Sequence, residues 1–132
     1  GKKVLATAAK YADGFNVRWW PPERYLERKE EIDSNCRGAG RDPEAFRRSL
    51  MCLLLPGYDR TRIEEGKKRF AAIPKTGIIS GTPKECVDRI LEYVLVGVRH
   101  FLFTIPDVTD MDMLRPAGEE ILPAVRSLSS GS

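Results

Sequence analysis

The feature that most limits the folds open to this chain is the run Ser49-Leu50-Met51-Cys52-Leu53-Leu54-Leu55, apolar at every position after the serine and closed by Pro56-Gly57. A strand with one wet face alternates apolar and polar residues, whereas a strand covered on both faces reads as an unbroken apolar run. Tandem leucines are also compatible with a buried helix, but the run is short and bounded by breakers. A strand of that kind suits a parallel sheet flanked by helices, so the expected class is α/β.

The neighbouring segments alternate in the same sense. Lys2 to Ala12 places Val4, Leu5, Ala8 and Ala9 at helical spacing, Asp13-Gly14 signals a turn, and Phe15 to Trp20 is rich in strand formers until Pro21-Pro22. A helix is predicted from Pro22 to Cys36, with Tyr25-Leu26, Lys29, Ile32 and Cys36 on one stripe and Gly38 and Gly40 beyond it. Residues 60–73 carry Ile63, Lys67, Phe70 and Ile73 at three- and four-residue steps, a second surface helix. After a short extended piece at Gly77 to Gly81, Thr82-Pro83-Lys84-Glu85 has the form of a capping box, and Gly97 stands where that helix should end. Val98 to Ile105 predicts another strand, closed by Pro106-Asp107. The last helix is expected over Asp110 to Leu128, kinked or divided at Pro116 and Pro123, with a flexible tail at 129–132.

A chain of 132 residues with 42% apolar and 31% charged residues fits one soluble globular domain. No segment approaches bilayer-spanning length and the N-terminus lacks signal-peptide architecture, so a cytoplasmic protein without a membrane partner is expected. The charge of +3 arises from 22 basic residues spread among 19 acidic ones. Clusters such as Arg47-Arg48 and Lys67-Lys68-Arg69 therefore read as solvated faces, not as a nucleic-acid surface. Cys36, Cys52 and Cys86 are odd in number and widely spaced, which suits reduced, buried thiols better than a disulfide framework or a zinc site.

Three stretches stand out together: Ala8 to Asn16, then Ser80 to Ile90 continued by Tyr93, Gly97-Val98 and His100 to Phe103, and finally Glu119 to Arg126. In order and spacing they resemble the bacterial luciferase-like family of flavin-dependent monooxygenases and deazaflavin (coenzyme F420) enzymes. The resemblance implies a partial (β/α)₈ TIM barrel: its C-terminal half over residues 1–128, because a complete barrel needs ~250 residues. It further implies an oxidoreductase or monooxygenase that uses FMN or F420 with a small-molecule substrate. The same resemblance implies that the cofactor belongs to the complete protein and that this piece alone binds none and is inactive. A half barrel leaves sheet edges and an apolar inner face open, so a homodimer, or pairing with the other barrel half, is expected. The alternative is a non-catalytic α/β assembly module that oligomerises through that face.

Barrel enzymes hold their sites at the C-terminal ends of the strands, which selects Asn16 and Arg18, Pro56-Gly57-Tyr58, Ser80-Gly81-Thr82 and Thr104 to Asp107. Gly1-Lys2-Lys3 resembles the end of the family's phosphate-binding loop, so Gly1 and Lys2, with Asn16 and Arg18, are the expected cofactor contacts. The glycines that normally precede that loop are absent. Lys75 resembles a lysine of sugar-phosphate-oxidising deazaflavin enzymes, and with Ser80 and Thr104 makes the expected substrate set. Capping alone also explains Ser80-Gly81-Thr82, and Trp19-Trp20 beside Arg18 suit either an aromatic rim or a cover for the barrel end. His100, the only histidine, begins a strand and is expected to be structural, while Asp13 and Asp107 read as turn formers.

Overall fold

The computed structural model describes Thr7 and residues 14–105 and 111–130, with the backbone alone at Phe15, Asn16, Arg18 and 128–130. The helix expected over Lys2 to Ala12 falls, apart from Thr7, outside the described residues, as do Asp13 and Asp107. Among the described residues there are four strands: β1 (Gly14–Arg18), β2 (Arg47–Pro56), β3 (Ile78–Gly81) and β4 (His100–Thr104). Between and after them run α1 (Pro22–Gly38), α2 (Arg60–Arg69), α3 (Pro83–Leu95), α4 (Met111–Pro116) and α5 (Leu122–Ser130). Every strand pairing is parallel and every one involves β2.

The backbone hydrogen bonds show how four strands share one centre. Trp19 N donates to Met51 O and Gly57 N to Gly81 O, whereas Arg99 N donates to Arg48 O. Backbone groups of one strand alternate between its two edges, so odd positions of β2 serve β1 and then β3, and even positions serve β4. β3 thus takes over the edge of β2 where β1 leaves it, and Trp19, with φ of 64°, turns the chain away at that handover.

Side chains alternate in the same way across the faces of β2. Leu50, Cys52 and Leu54 point into the larger core, against Tyr25 of α1, Cys86, Ile90 and Tyr93 of α3, and Ile121 and Val125 of the last helical stretch. Leu53 and Leu55 point to the opposite face, against Met113 of α4 and the half-buried Phe70, Ile73, Ile78 and Ile105. Each such leucine, removed from water, contributes roughly 1.5–3 kcal/mol. The buried phenols are satisfied: Tyr25 donates to Ser49 O and Tyr93 to Trp20 O, both at 2.7 Å.

Helix ends follow local chemistry. Asp59 caps α2 by accepting from Thr61 N at 2.9 Å, and the Thr82–Glu85 capping box starts α3 as its sequence indicates. α2 stops at Arg69, short of the expected Ile73, and hands over to turns. Pro116 does not break the last helix, and the turn that follows it, Ala117–Ile121, has π geometry, with Leu122 N donating to Ala117 O. The helix then runs to Ser130, into the segment expected to be tail.

One buried ion pair ties α1 to β2. Arg48, 7% exposed, donates to Asp33, 4% exposed, and Lys29 donates to the other Asp33 oxygen at 2.7 Å. Burial alone would push the Asp33 carboxyl up, but the hydrogen bonds from Lys29 and Arg48 outweigh it and hold the carboxyl below its usual range. A group with a lowered folded pKa stabilises the fold above its unfolded value of about 3.9 and loses that contribution as pH falls through the folded one. We expect Asp33→Ala to cost about 3–5 kcal/mol in urea denaturation at pH 7, because it strands a buried guanidinium. The difference between wild type and variant should shrink below about pH 4, and a cost under about 1 kcal/mol would show that the pair behaves as a surface bridge.

Candidate functional site

Because all four strands run the same way, their C-terminal ends lie at one rim. Arg18 closes β1, Pro56 closes β2, Gly81 closes β3 and Thr104 closes β4. In register, Asn16 pairs with Ser49, Arg18 with Met51, Ile78 with Leu53 and Ser80 with Leu55. On the other edge His100 pairs with Ser49, Leu102 with Met51 and Thr104 with Leu53. Paired residues of a parallel sheet share a face. Ser80, Leu102 and Thr104 therefore lie on the face of Leu53 and Leu55, away from α1 and α3.

That face is covered unevenly. Near the rim α2 and α4 close over Leu53 and Leu55, with Leu55 Cδ1 3.5 Å from where a Cβ on Gly66 would sit. Further down, Met51 is half-buried and Leu102 is 52% exposed. Among the described residues this face is therefore open at Met51 and along β4, where Leu102 and Thr104 are exposed, and covered over Leu53 and Leu55.

Lys75 and Ser80 come together in a cavity of about 430 Å³, walled by Lys67 and Lys68 of α2 and floored by Ile73 and Ile78. Lys67 has a carboxylate partner, Glu64, at 3.3 Å, whereas Lys68 and Lys75 have no ion pair among the described residues. Three ammonium groups and one hydroxyl, against the single carboxylate of Glu64, leave a net positive lining around a partly apolar floor, which suits an anionic ligand with an organic body. Thr104 lies on the opposite edge of β2 and does not line this cavity. Lys67 and Lys68 had read as a solvated face; no sequence signal shows that the last turn of α2 lies against β3.

Other candidates resolve differently. The amide of Glu85 is taken by Thr82 Oγ1 at 3.3 Å and that of Thr82 by Glu85 Oε1 at 3.0 Å, so capping consumes these donors. The backbone bond to Thr82, followed by that side chain and by Arg60, holds the Glu85 carboxyl below its usual range. Tyr58 reaches Glu120 at 3.0 Å, and that carboxylate raises its phenol pKa, tying the loop after β2 to the π turn. Trp20 packs edge-on against Tyr25 at 5.2 Å, beneath Arg24, which makes it a core residue of the helical side. Trp19 covers Gly77. Asn16 and Arg18 belong to β1 itself, while Gly1 and Lys2 lie outside the described residues.

The thiols take no part in this rim. Cys36, Cys52 and Cys86 are free and buried, and burial pushes Cys52 and Cys86 up to about 12, which leaves both protonated and unreactive at neutral pH. His100 is exposed at the N-terminal end of β4, the end opposite the rim. Among the described residues no cluster of three metal-ligating side chains occurs, and no helix is long and apolar enough to cross a membrane.

No protein-family profile matches the chain. An F420-dependent glucose-6-phosphate dehydrogenase from Microbacterium testaceum (strain StLB037) is 42% identical over 64 residues, which is 48% of this chain and 17% of that enzyme. Among solved structures, an F420-dependent secondary alcohol dehydrogenase in complex with an F420-acetone adduct superposes with a TM-score of 0.74 at 18% identity. That match covers 96% of this chain and 47% of the dehydrogenase. The coenzyme F420-dependent tetrahydromethanopterin reductase of Methanopyrus kandleri gives 0.71 at 19% identity, over 93% and 48% of the two chains. An EDTA monooxygenase from Chelativorans sp. BNC1 gives 0.75 at 12%, over 96% and 42%.

The architecture is therefore a partial (β/α)₈ barrel, and this chain spans about half the length of the structures it matches. The resemblance to the luciferase-like flavin and F420 enzymes, carried in sequence by three motifs, holds in the fold as well.

Gly77 offers a test of the rim. A Cβ there would lie 2.3 Å from Trp19 Cδ1, so Gly77→Ala must displace the indole. We expect a loss of about 1–3 kcal/mol and a red-shifted Trp19 emission in a Trp20→Phe background. An unchanged spectrum would show that Trp19 does not pack there.

Proposed function

We propose that this chain, as residues 1–128, is the C-terminal half of the barrel of a cytoplasmic flavin- or deazaflavin-dependent oxidoreductase, with no nucleic-acid partner. The observation that carries the reading is the cationic cavity at the rim, where Lys75 and Ser80 meet Lys67 and Lys68. The residues present fit the anionic parts of such a system. Lys75, Ser80 and the α2 lysines would hold a negatively charged substrate group, and Thr104 would contact the substrate from the other edge of β2. The cofactor, FMN or F420, supplies the redox chemistry when bound. Gly1 and Lys2 would meet its phosphate, and Asn16 and Arg18 its body.

Among the described residues Met51, Leu102 and Thr104, which share one face of the sheet, would offer the ring of such a cofactor a single wall. The chain alone should then be silent, with the facing wall supplied by the remaining barrel strands. The similarity to a dehydrogenase whose name specifies glucose 6-phosphate favours a phosphorylated sugar as the substrate class.

The decisive experiment places this chain in the Microbacterium enzyme, in place of the stretch of that enzyme that aligns with it. The chimera should take up F420 or FMN, seen as perturbed near-ultraviolet and blue absorbance. Lys75→Ala in it should raise KM for an anionic substrate about tenfold with a smaller change in kcat. A folded chimera that takes up neither cofactor would end the proposal, and stoichiometric uptake by this chain alone would end the claim of silence.

The exposure of Leu102 at 52% supports a second reading, a non-catalytic module that associates through the open part of the inner face. Light scattering should then give a homodimer at micromolar concentration that Leu102→Lys converts to monomer.

A further inference from the structure

At the end of the sheet opposite the rim, the N-terminal ends of β2 and β4 border a second cavity, of about 410 Å³. Its walls bring together basic side chains from four separate elements: Lys29 of α1, Arg47 and Arg48 of β2, Arg99 of the turn after α3, and His100 of β4. Two of these are fixed by the fold. Arg48 is held by Asp33 and lies 3.3 Å from Pro43 O, and Arg99 donates to Val94 O at 2.7 Å and to Val98 O at 3.1 Å. Lys29 shares Asp33 with Arg48. The side chains of Arg47 and His100 have no hydrogen bond or ion pair among the described residues.

Glu44 is the one carboxylate on the wall, and it faces four permanent cations. The cavity also depends on Gly97. Its φ of +106° suits glycine, and a Cβ there would lie 3.6 Å from the Arg48 guanidinium, so a side chain would narrow the space. Leu95, 76% exposed, forms an apolar shoulder.

We propose that this cavity is an anion site for inorganic phosphate or the phosphate group of a small monoester, separate from the rim and read by Arg47, Arg99 and His100. Guanidinium groups present paired donors that match a tetrahedral oxyanion, and two of the side chains here have nothing else to bind. The N-terminal face of a barrel serves stability, not turnover. An anion there clamps the strand ends to the turn after α3 and stabilises the folded chain in proportion to its occupancy.

His100 is the only histidine, so its imidazole resonances report on the site without further assignment. Titration of the 132-residue chain with sodium phosphate at constant ionic strength should give a saturable His100 shift. Arg47→Ala should weaken it by roughly tenfold, and Lys75→Ala should leave it unchanged. As a second readout, phosphate should raise Tm in wild type and fail to do so in Arg99→Gln. A tighter response to glycerol phosphate than to inorganic phosphate would assign the organic body to the Leu95 shoulder, and equal responses would assign the free anion. The proposal is overturned by a linear shift that chloride reproduces, by insensitivity to Arg47→Ala, or by loss of the effect in Lys75→Ala.

Discussion

Strand β2 has almost no solvent face, and the molecule is arranged around that constraint. From Arg48 to Pro56 only Met51 escapes full burial, so both faces of the strand must be covered. Parallel pairing on both edges satisfies its backbone, and crossover helices supply the cover. One face, carrying Leu50, Cys52 and Leu54, receives α1, α3 and the π-to-α5 stretch. The other, carrying Leu53 and Leu55, receives α4 and the segment after α2.

This division gives the two ends of the sheet different characters. At the rim the chain folds over its own strands, the Thr82–Glu85 box occupies the amides that begin α3, and three lysines with Glu64 line a half-apolar cavity. At the other end Arg48 enters the protein interior, which is tolerated because Asp33 accepts from it and from Lys29. Among the described residues Lys68 and Lys75 at one end, and Arg47 and Arg99 at the other, have no carboxylate partner, and these are the charges that the two proposals assign to external anions. In the interior, burial keeps the Cys52 and Cys86 thiols protonated and pushes the Tyr93 phenol up to about 12.

Local signals in the chain proved legible wherever a neighbouring residue supplied the physics. The apolar run of β2, the capping box of α3 and the positive φ at Gly97 follow from properties within a few residues of sequence. The rule that barrel sites lie at strand ends selected Ser80 and Thr104 at the rim. It could not show that β2 separates them, since that depends on which edge of β2 each strand pairs with. That Lys67 and Lys68 line a cavity was invisible for a related reason. Their amphipathic helix looks the same whether its last turn faces water or a cavity.

The sequence by itself therefore determined the class, α/β with parallel strands, because the hydrophobic pattern records how many faces of each element are dry. Tertiary structure alone decided the order of strands around β2, the handover from β1 to β3 at Trp19, and the meeting of Lys75 with the α2 lysines. Those outcomes depend on contacts between residues distant along the chain, and hydrophobic burial, which drives them, is indifferent to which partner provides the cover.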